Sequence, residues 1–290
     1  MKVLIVGCGD LGSAIGLALV AQGHQVWGAR RQPDRLPEAL HPLLWDLSEE
    51  APTLPAVDYL IYSVAADAFS EEAYEHAYVH GPKQVLAALA AQDIRPQHGF
   101  FVSSSSVYGQ VEGEDVDETT PTQPEGFAGR LMLAGESVWA DADFPVTSLR
   151  LTGLYGPGRE RLINQVRNGR IAPENPVQYT NRIHRDDAAG VVAHLLALNI
   201  EGQSLDACYL VSDQDSAPLH EVMRWLARQL KVTPSQAVDT PLRRRGSKRC
   251  SSERLQHTGY RFLYPTFKEG YAALLGLTLD AKGEAKPSKA

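Results

Sequence analysis

Short apolar runs of strand length alternate with longer stretches of helical periodicity over the first half of the chain. Val3–Val6 is apolar without interruption and runs into glycines. From Ser13 to Gln22, the residues Ala14, Leu17, Ala18 and Ala21 recur at helical spacing. Gly23 follows where a helix end favours left-handed backbone. Further strands are predicted at Gln25–Trp27, Leu43–Trp45, Tyr59–Tyr62, Gly99–Val102 and Thr147–Leu151. Ser70 can cap a helix that carries Glu71 and Glu72 in its first turn, and the Ala- and Leu-rich segment Lys83–Ala91 continues as helix. Strands apolar on both faces, each followed by a crossover helix, imply a buried parallel sheet. Right-handed crossovers then make it a doubly wound, Rossmann-like α/β fold. Beyond about residue 157 the pattern turns irregular, with helices predicted at Asp187–Leu198 and Leu219–Leu230.

The segment after the first strand, Gly7-Cys8-Gly9-Asp10-Leu11-Gly12, has the spacing G-x-G-x-x-G and opens a helix. The first glycine permits a tight turn, the second lets a pyrophosphate approach backbone, and the third lets helix and strand pack closely. Amides at the helix N-terminus, including those of Asp10 and Leu11, then face the phosphates. An NAD site usually carries an acid at the end of the second strand. Here Arg30 and Arg31 stand there, and Asp34 comes only after Pro33. A guanidinium can bind a 2′-phosphate with two charge-assisted bonds, so NADP is predicted as the preferred cofactor, with NAD as the other choice. The alternative is two solvated arginines in a loop. Cys8 either has a thiol pKa depressed by the helix N-terminus or simply fills a tight turn.

Composition narrows the setting. The chain has 290 residues, 43% apolar and 22% charged, with a net charge of −7. These values suit a globular protein, and the acidic balance lacks the field that attracts nucleic acid or anionic membranes. Cys8, Cys208 and Cys250 form neither a disulfide framework nor a zinc site, and no metal is expected. No run approaches the roughly 18 apolar residues of a membrane span. The N-terminus also lacks the features of a signal peptide, so a cytoplasmic protein is expected.

Together with later segments, these residues resemble the extended short-chain dehydrogenase/reductase superfamily, in its NAD-dependent epimerase/dehydratase group, over roughly residues 1 to 275. Asp46-Leu47 resembles the family's adenine-contacting pair, and Val64-Ala65-Ala66 its small-residue loop beneath the cofactor. Ser103-Ser104-Ser105-Ser106-Val107-Tyr108-Gly109 is similar to the Ser/Thr-rich strand end with its Val-Tyr-Gly. Arg150-Leu151-Thr152-Gly153-Leu154-Tyr155-Gly156-Pro157-Gly158 resembles the signature near nicotinamide and substrate. Arg182-Ile183-His184-Arg185-Asp186-Asp187 and Tyr209-Leu210-Val211-Ser212-Asp213 match two later motifs in order. The resemblance implies a Rossmann domain over residues 1–160 plus about 182–212. It also implies a smaller C-terminal substrate lobe over 161–181 and 213–277, and the small, polar, lysine-bearing end of the chain reads as a flexible tail over 278–290.

The departures concern chemistry. The family uses a Tyr-x-x-x-Lys pair one helical turn apart, in which the lysine lowers the tyrosine pKa for proton exchange. Aligned on Glu136, this chain has Ala128 at the tyrosine and Met132 at the lysine, which resembles an atypical, YeeZ-like subgroup lacking the pair. Ser104 retains the family's serine, Tyr78 stands at its asparagine, and Ser104 and Tyr108 are the candidate catalytic residues. His80 is a further proton source, and Arg130 and His184 are candidate substrate contacts, His184 equally an ordering residue of its loop. Asp187 can cap the following helix. The cluster Arg243-Arg244-Arg245, with Lys248 and Arg249, reads as a solvated loop or an anion or partner site.

The expected function is an NAD(P)-dependent oxidoreductase or epimerase/dehydratase-like protein acting on a small polar metabolite. The alternative is a non-catalytic NADP(H)-binding redox sensor or regulatory protein. A small-molecule substrate, no nucleic acid and no membrane partner are expected, and a homodimer is left open.

Overall fold

In the computed structural model, which describes residues 1–237, 246–280 and 285–287, each apolar run of the first half is a strand of one sheet. The strands β1 (Lys2–Val6), β2 (Gln25–Arg30), β3 (His41–Leu44), β4 (Tyr59–Tyr62) and β5 (His98–Ser104) are followed by Val146–Leu151 and Cys208–Val211. The order across the sheet is Cys208–Val211, Val146–Leu151, β5, β4, β1, β2, β3. From β5 to β3 all pairings are parallel, with Val6 in register with both Ala29 and Tyr62. The chain therefore leaves β1 in one direction for β2 and β3 and returns on its other side for β4. That reversal is a topological switch point, where open α/β sheets bind ligands.

The central strands are buried on both faces because helices cover both. The helices α1 (Asp10–Ala21), α2 (Glu71–Glu75), α3 (Gly81–Ala91) and α4 (Phe127–Ala140) belong to this unit, and one π-helical turn, His76–His80, joins α2 to α3. A Cβ at Gly135 would stand 2.4 Å from the Tyr78 carbonyl, so α4 touches the π-turn backbone at a position without a side chain. β3 is mostly exposed and contains Pro42, which cannot donate to a ladder and is tolerated on an edge strand.

The chain divides into two compact units, one of residues 1–108, 121–150 and 188–209, the other of residues 109–120, 151–187 and 210 onward. In the second, Glu114–Val116 pairs with Lys248–Cys250 and Gly153–Tyr155 pairs with Arg182–His184, both parallel. Its core gathers Tyr155, Ile163, Met223, Trp225, Phe267 and Tyr271. Leu219–Leu230 is helical as the periodicity predicts.

Several boundaries differ from the sequence expectation. α1 starts at Asp10 rather than Ser13, because Ser13 N already donates to the Gly9 carbonyl at 2.8 Å. Residues 109–120, 151–160, 182–187 and 210–212 join the second unit; the first of these segments is drawn there by the strand at Glu114–Val116 and by Gly113 N donating to the Ser247 carbonyl. Arg161–Arg167 is a helix inside the stretch read as irregular. Leu277–Leu279, which begins at the last residue of the expected lobe, pairs antiparallel with Ala285–Pro287 in the segment read as a tail. The cluster Arg243-Arg244-Arg245 lies outside the described residues.

Candidate functional site

The glycine turn sits at the switch point, at the end of β1. Gly7 has φ +81, and a Cβ there would meet the Val64 amide at 2.5 Å, so this backbone conformation and this close approach both demand glycine. Gly7 N and Cys8 N both donate to the Ala29 carbonyl at 3.0 Å, which ties the turn to the end of β2. A Cβ at Gly12 would meet the Gly7 carbonyl at 3.0 Å, the tight helix–strand packing expected of the third glycine. At Gly9 the surroundings are open: the nearest heavy atom to a Cβ is the Gly7 carbonyl oxygen, at 4.0 Å. Gly9 is also the N-cap of α1, and no side chain caps that helix. An uncapped helix N-terminus beside open space fits a phosphate. Asp10 is exposed at the helix start and Leu11 is buried beneath it. Burial pushes the Cys8 thiol up to about 11, so the loop cysteine packs and is not activated.

The two arginines at the end of β2 are both engaged. Arg30 Nη1 donates to the Cys8 carbonyl at 3.3 Å, which lays its guanidinium against the glycine turn. Arg31 makes a two-pronged ion pair with Asp67, at 2.8 and 2.7 Å, a partner that nothing in the sequence signals. Asp46 accepts from both the Ser48 amide and hydroxyl, which hold its carboxyl below the usual range. Leu47 is half-buried near Gly81, and Ala65 is exposed in the loop after β4.

At the end of β5 the serines part company. Ser103 is buried and donates to Glu136 Oε1, which also accepts from Arg150 Nε at 2.9 Å. Arg150 Nη2 reaches Glu136 Oε2 at 2.7 Å, and Nη1 donates to Tyr108 Oη at 2.9 Å. Ser103 and Tyr108 thus end a buried chain of polar groups that ties α4 to the sheet. Ser104 is half-buried, and its Oγ accepts from Ser106 N at 3.1 Å, which leaves its own proton to donate outward. Gly129 lets α4 press on this turn, since a Cβ there would stand 2.3 Å from the Ser106 carbonyl. On α4 itself, Ala128 is half-buried and Met132 is 4% exposed.

Other candidates are placed less centrally. Arg130 is exposed, donates to the Glu125 carbonyl at 2.6 Å and lies 3.6 Å from Glu71. Tyr78 Oη accepts from Ala66 N at 3.4 Å, and burial raises its pKa. His80 is exposed, 3.8 Å from Glu75. Leu154 and His184 belong to the second unit, where their strands pair. His184 is 1% exposed, its Nδ1 accepts from Asp186 N at 3.2 Å, and its ring lies 4.1 Å from that of Tyr264. That is the geometry of a loop-ordering residue. Asp187 caps nothing with its side chain; it accepts from Leu263 N, Tyr264 N and Tyr260 Oη and so anchors the 260–264 segment. Among the described residues, no cluster of His, Cys, Asp or Glu is arranged to hold a metal, and no helix is long and apolar enough to cross a membrane.

A glycine turn at the switch point of a doubly wound sheet, with an uncapped helix behind it, defines a dinucleotide-binding α/β protein. The chain belongs to the NAD dependent epimerase/dehydratase family, whose sequence profile matches residues 3–198. Protein YeeZ of Escherichia coli strain K12 is 28% identical over 282 residues, which cover 91% of this chain and 96% of YeeZ. A structure from Methylobacillus flagellatus, of a candidate NAD-dependent epimerase/dehydratase, is 36% identical with a TM-score of 0.78, over 95% of this chain and 97% of that one. The human epimerase family protein SDR39U1, solved with NADPH, has a TM-score of 0.77 at 19% identity, over 93% of this chain and 97% of that one, and supports the fold alone. Membership carries with it a nicotinamide cofactor, a small-molecule substrate and an oxidoreductase- or epimerase-like function.

Proposed function

We propose that this protein binds NADP(H) in preference to NAD(H) and uses it to reduce or epimerise a small polar metabolite at Ser104. The observation that carries the cofactor choice is the Arg30 guanidinium, laid against the phosphate-loop carbonyl of Cys8 at the end of a strand that lacks an acid. The α1 amides receive the pyrophosphate, and Arg30 the 2′-phosphate. When bound, a nicotinamide supplies or accepts hydride. Ser104, oriented by the Ser106 amide, donates a hydrogen bond to the substrate oxygen, and the proton which that oxygen takes up on reduction comes from solvent water. α4 holds neither a tyrosine nor a lysine, so no activated phenol on that helix completes the proton transfer. Losing a positioned acid typically forfeits about 10²–10⁴ in rate, so slow turnover of generic aldehydes and ketones is expected.

Calorimetric titration tests the cofactor choice. NADP+ should bind roughly tenfold to a hundredfold more tightly than NAD+, the range of a charge-assisted hydrogen bond. Arg30→Ala should erase that preference. Equal affinities in the wild type, or NAD+ ahead, would refute it. For the catalytic part, oxidation of NADPH against a carbonyl panel should be slow and slower still in Ser104→Ala. Brisk turnover indifferent to that change would place the chemistry elsewhere.

A further inference from the structure

Arg31 and Asp67 are separated by 36 positions, yet their side chains meet in parallel hydrogen bonds, Nη1 to Oδ2 at 2.8 Å and Nη2 to Oδ1 at 2.7 Å. Arg31 directly follows β2 and Asp67 lies in the segment after β4, the two strands that flank β1 in the sheet. The ion pair therefore bridges the neighbours of β1 at the end from which the glycine turn emerges. Asp46, after β3, is near enough to Arg31 to share its charge, although the Ser48 hydrogen bonds dominate its environment. The guanidinium best placed to join Arg30 at a 2′-phosphate is thus already held by one carboxylate and approached by a second.

We propose that Asp67 determines cofactor selectivity by competing with the 2′-phosphate for Arg31. This rests on the reading that Arg30 and Arg31 face the adenosine ribose. Two of the guanidinium's donors, one on each Nη, are taken end-on by Asp67. An incoming phosphate must either displace that carboxylate or bind through the Nε side and sit beside it, like charge against like. Both routes subtract from the affinity gained through Arg31. A cofactor with a free 2′-hydroxyl meets neither cost. Asp67 therefore keeps the discrimination below what two free arginines would give, and lets the protein accept both cofactors more evenly.

The test is calorimetric titration of NADP+ and NAD+ into wild type, Asp67→Asn, Arg31→Ala and the double variant, read as the ratio of the two dissociation constants. The isosteric amide removes the charge, and NAD+ binding by each variant reports that it is folded. Asp67→Asn should shift the ratio toward NADP+ by about two- to fivefold, the range of an exposed ion pair. The same change made on Arg31→Ala should shift it by nothing. If Asp67→Asn leaves the ratio unmoved while Arg31→Ala lowers it, Asp67 is idle and the proposal fails, with the ribose reading intact. An equal shift with and without Arg31 reduces the effect to bulk charge and also overturns it. If Arg31→Ala does not change the ratio, the ribose reading itself fails at Arg31 and the proposal goes with it.

Discussion

The two units treat their buried polar side chains differently. In the sheet unit Ser103, Glu136, Arg150 and Tyr108 form a continuous chain of hydrogen bonds, and His98 Nε2 meets Thr147 Oγ1 at 2.9 Å. The buried side-chain atoms without a partner there are the indole nitrogens of Trp45 and Trp139. Among the described residues of the second unit, Tyr155 Oη, Arg182 Nη1, Asp213 Oδ2 and Gln178 Oε1 are all buried without a partner. Each unsatisfied buried group costs about 1–3 kcal/mol. The sheet unit is therefore the firm platform for the glycine turn and Ser104, and the second unit should open first under denaturant. Hydrogen exchange would report that order, and faster exchange from the central strands would contradict it.

The largest effect is expected from breaking the chain of polar groups at Glu136. Arg150 is 8% exposed, and Glu136→Ala leaves its charge buried without a counter-ion. Such a change typically costs about 3–5 kcal/mol. Urea denaturation should show that loss, and replacing Arg150 by Met in the same chain should recover much of it. A cost below about 1 kcal/mol would mean that water reaches Arg150 and that this chain of polar groups does not stiffen the platform.

Gly9→Val comes next and separates binding from stability. The open space at its Cβ position predicts a folded variant, whereas a branched side chain there blocks the approach of a pyrophosphate. Cofactor affinity should fall at least a hundredfold, about 2.7 kcal/mol, with little change in the urea midpoint. An unfolded variant would show that the glycine is needed for the fold of the turn itself.

The pH dependence should have opposite signs in the two units. Burial pushes the Asp213 carboxyl up to about 8, with Arg182 opposing. The folded chain then keeps a proton that the unfolded chain releases near pH 4. That contribution is complete below about pH 4 and is lost as pH rises through about 8. Asp213→Asn should therefore stabilise the protein at pH 8, and much less at pH 4, read as the difference in urea midpoint. His98 runs the other way: burial lowers it to about 4, so stability is lost as pH falls from about 6.5 towards 4. His98→Gln should flatten the acid limb and leave the alkaline limb alone.

The contrast also explains what the sequence made legible. Val3–Val6 and Tyr59–Tyr62 announce central strands because both faces are apolar, and the glycine spacing announces a turn because only glycine tolerates what Gly7 meets. These are local signals. Arg31 with Asp67, or Asp115 with Arg249 at 134 positions' separation, are pairings of common surface residues with no local mark. Glu114–Val116 is three residues long, too short to show alternation, and finds its partner only at Lys248–Cys250. His184 and Asp187 stood out as polar residues in a motif. Which of their alternatives holds depends on the Asp186 amide and on the 260–264 segment, and only the folded chain supplies the second of these.

Helix caps are local in both units, and they carry the smallest expected effect. Thr266 forms a complete capping box: its side chain accepts from Lys268 N at 3.2 Å, and Glu269 accepts from Thr266 N at 3.0 Å. Ser70 accepts from Ala73 N at 3.3 Å, with no reciprocal acid at the third helical position. The helix after Thr266 buries Phe267, Tyr271 and Ala272, whereas α2 buries nothing. Thr266→Ala should therefore cost about 1 kcal/mol and Ser70→Ala about half of that, as differences in urea midpoint. If the caps follow this order, the second unit obeys the same local rules as the first and differs only in the charges it buries. A Ser70→Ala cost equal to or above that of Thr266→Ala would show that the second unit is already loosened in the native state, so that its caps no longer count in full.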